Sequence, residues 1–284
     1  MKIFLYTTFA LVAFAFNSIL CRLALRGEEA DAAGFTLVRL VSGAVALIAI
    51  NYVVKRGRRA LTDVRAIDTG SWPSALFLFA YAICFSFAYL GLTTATGALI
   101  LFGCVQFTMI GMSVFRGERS AMLEWMGLIL AFSGLIYLVF PGLSSPPLLS
   151  ALLMAIAGVA WGFYTLRGTG SEDPLGDTAG NFLRAALMVV IIALPFLSQI
   201  HLSTRGAVLA VLSGAVASGV GYTVWYAALK YHTSTRAAVL QLAVPVIAAV
   251  GGIVFLSEVA ELRIVIASVL ILGGIAATVG GKKR

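Results

Sequence analysis

Charge is what this sequence has least of. Of its 284 residues 61% are hydrophobic and only 11% charged, where a soluble domain carries roughly 25% charged residues. Too little polar surface remains to face water, which excludes a soluble globular protein and leaves an integral membrane protein. Acidic residues are fewest: 12 against 20 Lys and Arg, a net charge of +8. Most of the basic residues sit in short loops and at the C-terminus (Lys282, Lys283, Arg284). That is a positive-inside distribution and not a nucleic-acid footprint. Cysteine is scarce too. Cys21, Cys84 and Cys104 all lie inside apolar segments, and three of them make neither a disulfide framework nor a metal spacing. They read as small buried hydrophobes. No GxxxxGK[ST] occurs, so ATP hydrolysis by this chain is not expected. No HExxH occurs, and His201 and His232 both fall in loops, which argues against a zinc protease. The apolar spans hold no Asp, which argues against an intramembrane aspartyl protease and leaves no obvious midplane carboxylate for proton coupling. A serine enzyme would want a membrane-level His, and none is available. No cofactor, metal or ATP is implied, and the chain does not read as an enzyme.

What is present is a series of apolar runs. A bilayer core of about 30 Å needs about 20 residues of helix. Ten such runs are expected, roughly at 3–25, 34–54, 72–92, 95–115, 121–140, 147–167, 178–197, 206–229, 233–256 and 261–280. The first begins after Lys2, and Ala13-Phe14-Ala15 imitates a signal-cleavage site. The run continues to Leu25, long enough to span, so it reads as a retained helix. With the N-terminus inside, the cytoplasmic side receives fourteen basic residues: Lys2, Lys55, Arg56, Arg58, Arg59, Arg65, Arg116, Arg119, Arg167, Lys230, Arg236, Lys282, Lys283 and Arg284. The outer side receives four: Arg22, Arg26, Arg205 and Arg263. Both termini are therefore expected to be cytoplasmic.

The chain also matches itself. An offset of 145 places Arg22 on Arg167 and Arg39 on Arg184. An offset of 140 places Phe85 on Trp225, Glu118 on Glu258 and Gly134 on Gly274. A loop five residues shorter accounts for the change. Five helices per half is an odd number, so the second copy would cross the membrane in the opposite sense. Inverted repeats of this kind build many secondary transporters, with the substrate site near the midplane where the repeats meet. The expected fold is an all-α integral membrane protein of ten transmembrane helices, two inverted five-helix repeats (1–140 and 141–284) around a central cavity.

Ten spans as five plus five, cytoplasmic termini and a late helix ending PVIAAVGGIVFLSE, from Pro245 to Glu258, resemble the drug/metabolite transporter superfamily, EamA-like branch. The resemblance covers nearly the whole chain. That family commonly carries a Pro and, about a dozen residues on, a Gly-Glu or similar pair at the membrane edge. Here Ser257 replaces the Gly of the second half. The first half keeps Gly117-Glu118 but has Val105 where the repeat would place Pro. The aromatic-rich third and eighth helices are most similar to amino-acid exporters, including those for aromatic amino acids. The resemblance implies a basket of helices around a cavity lined mainly by helices three, four, eight and nine, with contributions from one and six.

Tyr81, Phe85 and Tyr89 share one face of the third helix, as Tyr222, Trp225 and Tyr226 do on the eighth. Such residues at mid-depth either form cavity walls that stack a ligand or hold a cation, or serve as packing and belt aromatics. Gln241 and Pro245 lie one turn apart on the ninth helix. A Pro there frees a carbonyl that needs a wet cavity or a neighbouring helix, and Gln241 beside it suits an α-amino group. Gln106 and Asn17 are similar candidates, with interhelical hydrogen bonding as the alternative. Trp161 sits between Gly158 and Gly162, a spacing that either packs helices closely or turns the indole to the cavity. Arg39 and Arg184 lie about six residues from their helix starts. Snorkelling to the interface is the expected behaviour, and anchoring of a carboxylate the alternative. Glu118 and Glu258, at helix ends, read as structural or gate residues. Gly97, Gly103, Gly219, Gly221, Gly251 and Gly252 permit bending or sliding, with Pro245, Gly219 and Gly221 the principal gating and kink candidates.

The leading reading is a secondary transporter in the bacterial inner membrane. It would export amino acids, aromatic ones included, and related small metabolites by alternating access, working as a monomer whose partners are a small-molecule substrate and the lipid bilayer. The alternatives are an exporter of drugs and lipophilic cations, or a non-transporting membrane subunit.

Overall fold

Long apolar runs can satisfy their backbone groups within lipid only as helices. A computed structural model describes residues 2–56, 69–115, 122–140, 145–229, 231, 240–241, 243–259 and 261–281. Ten helices are counted among them: α1 (Lys2–Arg26), α2 (Ala32–Arg56), α3 (Trp72–Ala88), α4 (Thr94–Phe115), α5 (Met122–Val139), α6 (Leu148–Gly168), α7 (Pro174–Ala193), α8 (Thr204–Leu229), α9 (Ala243–Leu256) and α10 (Leu262–Gly281). Six of them are long and apolar enough to cross a membrane: α1, α2, α4, α6, α8 and α7 with its continuation to Gln199. The apolar stretches Trp72–Ala88, Trp125–Leu138, Ala243–Leu256 and Leu262–Ala277 are shorter. Gly117, Glu118, His232, residues 233–239 of the expected ninth span and the C-terminal Lys282, Lys283 and Arg284 lie outside the described residues.

Three boundaries differ from the hydropathy reading. Helix α3 ends at Ala88, short of residue 92. The chain turns at Tyr89–Thr93, and Thr93 Oγ1 accepts the Thr96 N–H at 3.3 Å to cap α4. Helix α7 starts at Pro174, earlier than 178. Asp173 Oδ1 accepts the Gly176 N–H at 3.1 Å, and Pro174 fills the first helical position, where its missing N–H costs nothing. The α-helix stops at Ala193 because Pro195 cannot continue its hydrogen bonding, and Leu194–Gln199 goes on as a 3₁₀ helix.

Most of the closely packed helix pairs join the first five helices to the last five. Helix α1 packs on α8 and α9, α2 on α7 and α8, α3 on α6 and α7, α4 on α6 and α9, and α5 on α10. Small residues allow these approaches. A Cβ at Gly158 would stand 2.5 Å from the Leu101 carbonyl oxygen, and one at Gly274 2.5 Å from the Ala131 nitrogen. The Gly158-x-x-x-Gly162 stripe is therefore the α6–α4 seam. Large apolar side chains such as Phe132, Ile129, Val269 and Val254 point outward, where lipid would cover them.

Hydrogen bonds tie loops together at both ends. At one end the α1–α2 loop joins the α7–α8 loop: Ala30 bridges Leu202, and the Ser203 N–H donates to the Glu29 carbonyl at 2.7 Å. At the other, the Ser71 N–H donates to Asn181 Oδ1 at 2.8 Å and the Gly70 N–H to Asp177 Oδ1 at 2.9 Å.

Candidate functional site

The centre of the helix basket is aromatic. On α3 the four-residue spacing brings rings into line: Tyr81 and Phe85 lie 5.4 Å apart, Phe85 and Tyr89 4.8 Å. Trp161 of α6 reaches in to within 4.9 Å of Tyr81 and 4.7 Å of Tyr222, so α3, α6 and α8 meet ring to ring. Phe14 of α1 closes the fourth side, edge-on to Trp161, Tyr222 and Trp225. Phe14, Tyr81, Phe85, Trp161 and Tyr222, with Asn17, Leu101 and Phe102, line a cavity of about 10 Å³, room for one water at most.

The polar part of this core depends on an irregularity in α8. Leu212–Val220 is a π-helix. Residues five apart diverge by about 140° on an α-helix, but a π-turn bonds i to i+5 and brings them to one side. Ser213 and Ser218 are such a pair, and both donate to Asn17 Oδ1, at 2.7 and 3.2 Å. Gly214, beside Ser213, lets α8 touch α2: a Cβ there would stand 2.1 Å from the Arg39 carbonyl oxygen.

Arg39 is 1% exposed. It does not snorkel. Its guanidinium turns into the core, 5.1 Å over the Tyr81 ring and 4.8 Å over the Phe85 ring. Its Nη2 donates to Tyr81 Oη at 2.9 Å, Ser218 Oγ at 3.3 Å and Tyr222 Oη at 3.4 Å, and its Nε to Ser218 Oγ at 3.4 Å. Nη1 has no hydrogen-bond partner, and among the described residues no carboxylate pairs with Arg39. A charge at the bilayer centre costs about 3 kcal/mol on insertion scales. Arg184, its counterpart at offset 145, does reach the edge: Nη1 donates to the Thr69 carbonyl at 2.8 Å, with the guanidinium 5.8 Å from the Trp72 ring. Arg39 turns instead onto the hydroxyls of Tyr81 on α3 and of Ser218 and Tyr222 on α8.

Beyond the ring layer, towards the end where α3 and α7 begin, a cleft of about 180 Å³ lies between α3, α6, α7 and α8. Buried Tyr164 and Tyr226 line it, with Asn181, Thr178, Asp177, Ser71 and Ser74, and exposed Arg167 stands at its mouth. Arg167 Nε donates to Ser74 Oγ at 3.0 Å.

The opposite end is closed by charge. Glu258, 8% exposed in its side chain, lies 3.5 Å from Arg22 Nε and accepts the Thr94 N–H at 3.1 and 2.9 Å. Arg22 Nη1 also donates to the Tyr89 carbonyl at 2.9 Å, and Arg26 to the Leu256 carbonyl. One cluster thus ties together α1, α9, the end of α3 and the first turn of α4, where Glu258 meets the helix dipole and free N–H groups.

Of the candidates named from sequence, Asn17, Tyr81, Phe85, Trp161 and Tyr222 line the central cavity and Tyr226 lines the cleft. Trp225 packs on Phe14 5.5 Å away, its Nε1 without a hydrogen-bond partner. Tyr89 stands at the closed end, its hydroxyl donating to the Thr94 carbonyl at 3.4 Å. Gln106 and Gln241 are buried on or beside their helices but line neither space, and the Gln241 amide has no hydrogen-bond partner. Pro245 is buried in the first turn of α9. Gly219 lies within the π segment, and Gly221 lets α8 approach Ala13, whose Cβ would be 2.9 Å from a Cβ there. Phe14, Ser213 and Ser218 were missed, and Arg39 takes the inward direction that was the alternative to snorkelling. The signal for the serines was the five-residue spacing of Ser213-Gly214 and Ser218-Gly219, which a search for 3.6-residue periodicity passes over.

A multi-pass helical membrane protein with a polar, aromatic core between its helices is the class this geometry defines. The comparisons with known proteins name it more closely. A model of the EamA-like transporter family matches residues 148–280, that is, α6 to α10. An uncharacterized protein of Pseudomonas aeruginosa is 47% identical over 272 residues, 96% of this chain and 92% of that one. Two uncharacterized transporters of Archaeoglobus fulgidus are 27% identical over 212 residues (71% of this chain, 74% of that one) and 26% identical over 213 (71% and 73%). A crystal structure of another protein superposes with a TM-score of 0.66 at 18% identity, over 97% of this chain and 99% of that one, a likeness of fold. The match of the last five helices to the EamA-like transporter family, with the transporter relatives, supports a membrane transporter of the drug/metabolite transporter superfamily.

Proposed function

We propose that this transporter exports amino acids with apolar side chains, aromatic ones included, and related small metabolites across the bacterial inner membrane by alternating access. The observation that carries this reading is the sequence of spaces along one axis. A polar cleft of about 180 Å³ opens at one end, a layer of tyrosine and tryptophan rings closes the middle, and the Arg22–Glu258 cluster closes the far end. With both termini cytoplasmic, as the positive-inside rule predicts, the cleft faces the cytoplasm, the side from which an exporter loads. Wall chemistry supports the substrate class: stacked aromatics with a few amides and hydroxyls suit an apolar side chain with a polar head.

The packing pattern supports an inverted repeat. Exchanging α1–α5 with α6–α10 in order maps α3/α6 onto α8/α1, α4/α6 onto α9/α1 and α2/α8 onto α7/α3, and leaves α2/α7, α4/α9 and α5/α10 paired with themselves. The family match, confined to the last five helices, supports five helices as the unit. The repeats 1–140 and 141–284 would then rock about the α2/α7 and α4/α9 contacts, opening one end while the other closes. The protein works in this reading as a monomer, without cofactor or ATP.

The test is efflux of labelled phenylalanine, and then of other amino acids, from preloaded proteoliposomes, with and without proton or sodium gradients. Efflux above empty liposomes that falls several-fold in Tyr226→Ala is expected. No efflux of any amino acid under any gradient would sink the substrate assignment.

A further inference from the structure

We infer that Arg39 is the anchor for an anionic group of the transported molecule, a carboxylate carried on an apolar body. The inference rests on the transport reading and narrows its substrate class.

An arginine keeps its charge under all conditions a protein meets. This one is 1% exposed, inside a helix that crosses the membrane, and the described residues give it only neutral partners. Buried charges are normally paired, because neutral hydroxyls do not cancel the net charge. The described acidic side chains stand at helix ends: Glu258 is engaged by Arg22 and the Thr94 N–H, Asp177 by the Gly70 N–H and Ser171, and Asp173 by Lys55. Among the described residues the core therefore holds a permanent cation and no anion to match it.

The geometry says what anion fits. Three partners crowd the Nη2 side, while Nη1 is left without a hydrogen bond. Nη1 is thus a charged N–H donor without an acceptor, and a carboxylate oxygen is the acceptor that supplies both the hydrogen bond and the missing charge. Tyr81 and Tyr222, whose hydroxyls touch the guanidinium, also line the cavity, together with Phe14, Phe85 and Trp161. A carboxylate at Arg39 would thus have its apolar body among those rings. The cavity is closed to about 10 Å³, so binding has to part the Tyr81, Trp161 and Tyr222 rings, and the ion pair supplies a gain that an uncharged or cationic ligand lacks. The same cation repels lipophilic cations, which separates this reading from a cation exporter.

The experiment compares four compounds on one ring system: phenylalanine, 3-phenylpropionate, phenylalanine amide and phenethylamine. Two readouts are taken on the full-length purified protein: ligand-induced thermal stabilisation in detergent and efflux from proteoliposomes. The two carboxylates are expected to stabilise and cross at concentrations at least tenfold lower than the amide and the amine. Arg39→Met should erase that preference, Arg39→Lys should restore part of it, and Arg184→Met should leave it unchanged. If the amide or amine matches the carboxylates in the wild type, the anchor is overturned while transport stands. If carboxylates stabilise the protein but nothing crosses, the anchor stands and the transport reading fails. If no compound stabilises or crosses, the anchor is overturned, and efflux of the other amino acids decides the transport reading. The wild-type comparison decides the matter even if Arg39→Met does not fold.

Discussion

At position 214 not even a methyl group fits. A Cβ there would meet the Arg39 carbonyl oxygen at 2.1 Å and Ser42 Oγ at 2.2 Å, and the first of these is backbone that cannot rotate away. Gly214→Ala should force α8 off α2 and cost about 1–3 kcal/mol or more, read as a fall in the thermal midpoint of the detergent-purified protein. Gly111→Ala is the contrasting case. Nothing lies within 4 Å of its Cβ, and alanine is the better helix former by about 1 kcal/mol, so its midpoint should hold or rise. Ser218 links two groups, accepting from Arg39 and donating to Asn17. Ser218→Ala leaves both with fewer partners, and a cost of about 1–3 kcal/mol is expected. The sequence made these residues visible as small and polar. It did not show that one glycine bears on Arg39 and another on open space.

At the scale of elements, two devices stand out, the π segment of α8 and the charge cluster at the end of α9. Deleting Ala215 from the π segment should let α8 run as an ordinary α-helix. Ser213 and Ser218 would then lie four residues apart and still share a face, so Asn17 should keep both partners, and the thermal midpoint and the helix content by circular dichroism should stay close to the parent's. The Glu258 cluster is mostly buried, with side-chain exposures of 16% for Arg22 and 8% for Glu258. Removing one partner of a buried pair costs about 3–5 kcal/mol, because the other charge is left alone. Glu258→Gln should therefore loosen the closed end, and a cysteine introduced as Thr94→Cys should react faster with an impermeant thiol reagent than in the parent. Unchanged reactivity would mean that α1, α4 and α9 are held there by packing alone. Helix positions were largely legible from hydropathy, since a run of about 20 apolar residues in lipid has no other option. The starts of α4 and α7 were not, because Thr93 and Asp173 set them by accepting the N–H groups of Thr96 and Gly176.

At the scale of the whole molecule, the two ends are unequal: a cleft at one, a closed charge cluster at the other. This asymmetry predicts accessibility. In a background with Cys21, Cys84 and Cys104 replaced by alanine, Tyr226→Cys should be labelled from the cleft side without substrate, since Tyr226 lines that cleft. Phe85→Cys, 1% exposed in the closed core, should be labelled only slowly, and faster while substrate is being transported. Equal protection of both positions under all conditions would favour a packed, non-transporting subunit. The same labelling on intact cells reports which face of the membrane the cleft opens to.

The sequence alone determined the class of environment and the number of helices. Scarcity of charge leaves lipid as the only solvent for most of the chain, and helices are the form its backbone can take there. Four-residue spacing and polar groups at mid-depth bring Tyr81, Phe85, Trp161, Tyr222 and Asn17 forward from the sequence, and in the structure these five line one small space. Only the tertiary structure decided where Arg39 points. Periodicity places it on α2 with an apolar stretch on either side, and from there the interface looks like the nearest refuge for its charge. The hydroxyls that hold it instead come from residues 42, 179 and 183 positions away, two of them on a helix whose π-turn no spacing rule for α-helices anticipates. A contact assembled from three separate helices has no signature along any one of them.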